Sequence, residues 1–280
     1  MKKVYLICSV LFLTVQLSSC QSNNGEKSNL TNSEEDSVSE NSETEKEDES
    51  YINPKGNKII SRFNVPEGYN RVKTEKNSFA EFLQNLPLKP DGSPVLLFNG
   101  NEKGNQDAHL AVVDLPIGKR DLHQCADAIM RLRADYLFGQ KRYNEIEFLF
   151  VSGKRSNYAT YLAGRTPNST NLWSYLENVF NLASTLSLDK QLKSKDLNSI
   201  EVGDVFIKGG SPGHAVIVVD KCVNSEGKVK FMLAQSYMPA QETQVLVNPQ
   251  DPNNPWYDLD FGDILETAEY TFTKNQLKSF

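Results

Sequence analysis

The sequence predicts an α+β fold, an antiparallel sheet with packed helices. Three observations predict it. A helix-periodic stretch, "RDLHQCADAIMRLRADYLFG", comes first and carries a cysteine. A set of strand-like segments, "GDVFIKGG", "GHAVIVVDKCV" and "KVKFMLAQSY", comes later and carries a histidine, so helix and strands are grouped in order and not alternated. Residues 51–280 are also long enough for one large domain with an ample core.

The N-terminus precedes that domain. Residues 1–19 carry Lys2 and Lys3, an apolar run from Val4 to Leu17 and two small residues, which makes a secretory signal too short to span a membrane. Leu17-Ser18-Ser19-Cys20 resembles the lipobox of bacterial lipoproteins. That resemblance implies cleavage before Cys20, acylation of Cys20, and a mature chain held at a membrane of the bacterial cell envelope by lipid. The alternative is an ordinary signal peptide that leaves Cys20 as a free thiol on the tail. Residues 21–50 hold ten acidic residues against Lys27 and Lys46, with one leucine and one valine to bury. Such a segment cannot repay its ordering entropy, and it is expected to be a disordered tether over 20–50.

Removing these parts changes the charge balance. The formal net charge of -6 is +2 from the signal and -8 from the tether, so residues 51–280 sum to zero. A nucleic-acid footprint would need a clustered basic face, and none is visible. No Cys/His cluster with metal spacing, phosphate-loop glycine pattern or internal repeat occurs, and nothing in the sequence requires a metal or organic cofactor.

The elements follow in order. Residues 58–118 read as strand-rich: "NKIISRFNVPEGYNRV" turns at Pro66-Glu67-Gly68, and "SPVLLFNG" and "HLAVVDLPIG" read as strands. Between them "SFAEFLQNL" is a short helix capped by Ser78, with Phe79, Phe82, Leu83 and Leu86 on one side. His109 reads as a satisfied structural histidine. In "RDLHQCADAIMRLRADYLFG" Asp121 is the expected N-cap, with Gln124 completing a capping box, and Gly139 ends the helix. Cys125, Ile129, Leu132 and Tyr136 form its inward stripe, while Asp127 and Arg131 fall elsewhere. "YNEIEFLFVSG" is a strand. "STNLWSYLENVFNLAST" is a second helix with Leu172, Leu176, Val179 and Ala183 on one face, and "NPQDPNNPWYDLD" is a proline-broken loop.

One constellation carries chemistry. The first turn of a helix favours negative charge, so Cys125 is placed for a lowered thiol pKa, as a nucleophile requires. His214, directly after a glycine turn, is the distant histidine such a cysteine needs as base. Gln235 on the next strand is in place to orient the imidazole, and Gln124 to present its amide to an oxyanion if the cap does not use it. For each the plain reading stands beside this one. Cys125 is otherwise a small core residue or one half of a disulfide with Cys222; His214 is otherwise a structural histidine after an ordinary β-turn. His123 reads as surface or capping. Cys222, on the same strand parity as His214, reads as core, and Trp173, Trp256, Tyr237 and Tyr257 read as packing or as the lining of a groove.

"DLHQCADAIMRLRADY", "GDVFIKGGSPGHAVIVVD", "LAQSYMPAQ" and "PWYDLD" together resemble an uncharacterised family of bacterial surface or periplasmic lipoproteins, a domain of unknown function. The likeness spans nearly all of residues 58–280. A second resemblance is to papain-like cell-wall hydrolases, the cysteine, histidine-dependent amidohydrolases/peptidases (CHAP) and their NlpC-type relatives. It rests on "Gln-Cys" at a helix start, "Gly-Asp" leading to "Gly-His", and a polar residue on the following strand, within residues 118–245. It implies Cys125 as nucleophile, His214 as base, Gln235 as orienting residue, Gln124 as oxyanion contributor and Asp204 as structural. Ala126 and Asp127 stand where that pattern has an aromatic, and Gln235 where it has a different polar residue.

The expected function is therefore a membrane-anchored extracytoplasmic lipoprotein that acts as a cysteine amidase or peptidase on peptidoglycan or other envelope peptides. The alternative is a non-catalytic lipoprotein of the same fold that binds an envelope partner or cell-wall component.

Overall fold

Residues 50–280 are described by the structure, a computed structural model. The signal of residues 1–19, Cys20 and the acidic segment up to residue 49 lie outside the described residues.

Residues 58–118, expected to be strand-rich, form little regular sheet. "IISR" is instead a helical turn, α1 (Ile59–Arg62), whose Ile59 is buried. The buried Arg62 reaches Gly56 O at 2.8 Å, Asp91 Oδ1 at 3.0 Å and Lys89 O at 3.1 Å. After the expected turn comes β1 (Tyr69–Arg71), then α2 (Phe79–Gln84), capped as expected by Ser78, whose Oγ accepts from Glu81 N at 3.1 Å. "SPVLLFNG" is not a strand. The Gln106 amide takes both the N–H and the C=O of Val95, at 3.0 and 3.1 Å, doing the work of a strand partner. β2 (His109–Val112) forms as expected, but His109 is only half satisfied: Nε2 meets Ser93 O at 3.2 Å while Nδ1 is buried without a partner.

α3 (Cys125–Gly139) begins at the cysteine itself. The cap is Gln124, whose N–H donates to Asp127 Oδ2 at 3.0 Å. Asp121, the expected cap, instead accepts from Ala240 N at 2.7 Å and ties the helix entry to a distant loop. The helix is buried nearly all round, Asp127 and Arg131 included, because Trp173 covers a second face, 5.0 Å from the Arg131 guanidinium. The hairpin of β3 (Glu147–Leu149) and β4 (Arg155–Asn157) follows, then α4 (Tyr158–Leu162), α5 (Ser169–Leu182) and α6 (Thr185–Gln191). Leu172, Leu176 and Val179 of α5 are buried as expected, and Ala183 is its C-cap.

The remaining strands are β5 (Lys193–Ser194), β6 (Val205–Lys208), β7 (His214–Asn224), β8 (Val229–Gln235), β9 (Gln244–Leu246), β10 (Trp256–Asp258), β11 (Ile264–Glu266), β12 (Thr271–Thr273) and β13 (Leu277–Ser279). The main sheet runs β2-β9-β8-β7-β6-β13-β5, with β1 paired to β7 and β10 to β8, and its ladders are antiparallel. The proline-broken segment thus holds a strand: Asn254 Oδ1 accepts from Trp256 N at 2.9 Å, and Trp256 and Tyr257 then pair with Met232 and Phe231.

Two apolar layers flank this sheet. Ala215, Ile217, Val219, Met232 and Ala234 pack with Ile129, Met130 and Leu132 of α3. Val216, Val218, Phe231 and Leu233 pack with Phe206, Tyr257 and Phe272 on the other side. The β7–β8 register slips between Val218 and Asp220, a bulge that moves Cys222 into the helix-side layer with Ala215 and Val219. Simple alternation gave it the parity of His214, but one extra residue reverses the faces. Buried Cys222 and Cys125 are both free thiols. The fold is α+β with a large antiparallel sheet.

Candidate functional site

The glycine lead explains how His214 is held. A Cβ on Gly213 would lie 2.3 Å from Gly210 O, 2.6 Å from Thr185 Oγ1 and 2.7 Å from Lys208 O, so only glycine fits there. Lys208 is the ladder partner of His214, and the histidine enters β7 tightly braced against β6.

His214 is 1 % exposed. Its ring is surrounded by Tyr237, Tyr270 and Phe272, with centroids at 4.6, 5.0 and 6.0 Å. Nε2 lies 2.6 Å from Gln235 Oε1, at the end of β8. Burial is the main cause that lowers the His214 pKa to about 4; the Gln235 hydrogen bond works the other way, and the Lys103 charge adds to the lowering.

Cys125 is 5 % exposed at the first position of α3, a helix that packs on β7. Backbone amides of Ala126, Ala215 and Cys125 itself reach the thiol. Ala215 directly follows His214 on β7 and packs in the layer that α3 covers, whereas the His214 ring lies against Phe272 of the other layer. A cysteine at a helix start is expected to have a lowered thiol pKa. Burial instead pushes it up to about 11, Asp127 adds to the rise, and the three amides offset only part of it. Asp127 is itself raised to about 8 by burial, with Oδ1 enclosed and unpartnered.

Gln235 bonds onward to a loop. Its Nε2 donates to Glu269 Oε2 at 2.7 Å, and the same oxygen lies 2.5 Å from Lys103 Nζ. Asn105 Nδ2 donates to Glu269 Oε1 at 3.1 Å. Neither Glu269 nor Lys103 was visible from the sequence, since each lies outside the strands and helices and no periodicity marks it.

Gln124 is less available. Its Nε2 donates to Asp121 Oδ1 at 3.1 Å, which engages the amide proposed for an oxyanion. The backbone amides of Ala126, Ala215 and Cys125 are the donors at the sulfur. His123, expected at the surface, is 1 % exposed; Nδ1 meets Gln241 O at 3.3 Å, and its pKa falls to about 3 chiefly through burial, with Arg131 adding to the fall. Ser236 Oγ, also buried, donates to His123 O at 2.9 Å and ties this segment to the end of β8. Asp204 is structural, receiving Glu201 N and Lys195 Nζ at 2.6 Å each. Trp256 and Tyr257 are packed away, with Nε1 donating to Asn64 O at 2.8 Å and OH to Val247 O at 2.5 Å, whereas Tyr237 lies on the His214 ring.

A cleft of about 1370 Å³ opens elsewhere, between Lys195, Tyr257, Phe261 and Lys274, and includes none of Cys125, His214, Gln235 and Gln124. Among the described residues no group of three or more His, Cys, Asp or Glu side chains is arranged to hold a metal ion. Searches of curated proteins and of solved structures return no match. The family whose model matches residues 59–279 is described as "Domain of unknown function (4846)", and the chain belongs to that family.

Proposed function

We propose that the protein is an extracytoplasmic lipoprotein, held at the cell envelope by lipid on Cys20, whose papain-like part hydrolyses an amide in peptidoglycan or another envelope peptide. The observation that carries the proposal is the 2.6 Å contact between His214 and Gln235, on the strand that the helix beginning at Cys125 packs against. In this reading His214 takes the thiol proton as sulfur attacks the carbonyl carbon. The C–N bond then breaks, the proton passes to the leaving amine, and a thioester remains. Water, deprotonated by His214, releases the acid and restores the thiol. Both groups are neutral at rest, because burial opposes a standing thiolate–imidazolium pair.

The same burial favours a second reading, a non-catalytic lipoprotein that keeps this fold to bind an envelope partner or wall component. Alkylation of Cys125 in the full chain by iodoacetamide, followed across pH by mass spectrometry, separates the two. The hydrolase reading expects a rate that His214→Ala lowers at least about tenfold near neutral pH. A Cys125 that reacts no faster than free cysteine, at a rate indifferent to His214, would leave the binding reading.

A further inference from the structure

We infer that Glu269, anchored by Lys103, is a positioning residue that fixes which nitrogen of His214 carries the hydrogen, acting through the orientation of the Gln235 amide. The inference deepens the hydrolase reading, on which its catalytic consequence rests. A glutamine amide has two ends of nearly the same shape and opposite hydrogen-bonding character, so by itself it orients an imidazole either way. What lies at its far end decides.

At that far end is a carboxylate, which only accepts. Glu269 Oε2 takes the hydrogen of Gln235 Nε2 at 2.7 Å, and Gln235 Oε1 is thereby turned to His214 Nε2 at 2.6 Å. A carbonyl oxygen also only accepts, so Nε2 carries the ring hydrogen and Nδ1 keeps its lone pair. Since Nε2 is occupied, Nδ1 is the ring nitrogen left to receive a proton. Reversing the amide would place N–H against Nε2, drive the ring hydrogen to Nδ1 and remove the base. Glu269 is held against that reversal from two sides, by Lys103 Nζ at 2.5 Å and Asn105 Nδ2 at 3.1 Å. Lys103 is 7 % exposed, so little water competes for the carboxylate. A glutamine in the orienting position works here because a further residue supplies the direction it lacks.

The test reads the tautomer directly, with no substrate. Long-range ¹H–¹⁵N NMR of the full chain, with the three histidines assigned by single replacement, gives the ring pattern of His214. The wild type is expected to show Nε2–H alone. Glu269→Ala is expected to bring in a substantial Nδ1–H population and to slow Cys125 alkylation about tenfold or more. Glu269→Gln, whose carbonyl can still accept from Gln235, is expected to restore both. Lys103→Met, which leaves the carboxylate in place but unheld, tests the same point should Glu269→Ala fail to fold. An Nδ1–H signature in the wild type overturns the inference with no variant needed, as does an unchanged tautomer in Glu269→Ala, or in Lys103→Met where that variant replaces it. A tautomer that shifts while Cys125 stays inert in every form upholds the Glu269 relay and sinks the hydrolase reading instead.

Discussion

Asp127 stands two residues beyond Cys125 in the first turn of α3, and after burial itself it is the group that raises the Cys125 pKa. The helix start that should favour a thiolate thus carries a buried carboxyl working against one. Asp127→Asn removes that charge and still offers an oxygen to Gln124 N. Cys125 in this variant is expected to alkylate faster than wild type at pH 8 to 9, which the iodoacetamide assay measures. Stability shifts too. With its folded pKa raised from 3.8 to about 8, Asp127 holds a proton in the folded state that the unfolded chain has released. Wild-type stability therefore falls as pH rises across that window, by at most about 1.4 kcal/mol per pH unit. The variant lacks this loss: it should exceed wild type at pH 8 by urea unfolding, with the gap closing towards pH 4.

His123 gives the opposite slope. Its folded pKa of about 3 lies below its ordinary 6.5, so on acidification the unfolded chain binds a proton that the folded state refuses. The stability it contributes is complete above pH 6.5 and lost as pH falls towards 3. Between pH 7 and pH 5 wild type should lose about 2 kcal/mol that His123→Gln does not. Urea midpoints of the two proteins at both pH values give the difference directly, and equal losses would show that His123 is not the buried neutral group described.

Half-buried Arg71 pairs with the fully buried Asp220 at 2.7 Å, with Gln84 Nε2 donating to the other carboxylate oxygen at 2.7 Å. Asp220 is fully buried beside the β7 bulge, and removing its cation strands a charge. Arg71→Met should destabilise by about 3–5 kcal/mol in chemical unfolding, whereas Lys228→Met, whose pair with Glu226 is mostly exposed, should change stability by under about 1 kcal/mol.

Local signals made much of this molecule legible. α3, β6, β7 and β8 announce themselves by period and by β-branched content, and Cys125, His214 and Gln235 stand at their ends, where the sequence argument set them. Reading failed where a side chain replaced regular structure. Gln106 substitutes for a strand partner at Val95, and Asn254 rescues a strand from a run of prolines. The bulge that turns Cys222 over is one residue long and leaves no periodic trace. Glu269 reaches Gln235 across 34 residues from a loop, a contact that only the folded chain reveals. The thiol pKa departs from expectation for a different reason: a helix start is visible in the sequence, while the depth of burial that outweighs it is set by the fold.

Gly213→Ala tests how firmly the glycine turn sets His214. The added Cβ meets two backbone oxygens, Gly210 O and Lys208 O, at 2.3 and 2.7 Å, and neither can swing aside as a side chain would. Relief has to come from moving the turn or the first residue of β7, and both displace the imidazole from Gln235. The variant is expected to lose about 1–3 kcal/mol by overpacking. It should also lose the single-tautomer NMR pattern of His214, even at temperatures where it is fully folded. Gly210→Ala is the matched control: its Cβ meets nothing within 4 Å, and its cost comes only from a backbone φ of +108°. It should lower stability yet leave the His214 tautomer unchanged, and a shift of equal size in both variants would mean that the turn as a whole, not the space at Gly213, sets the histidine.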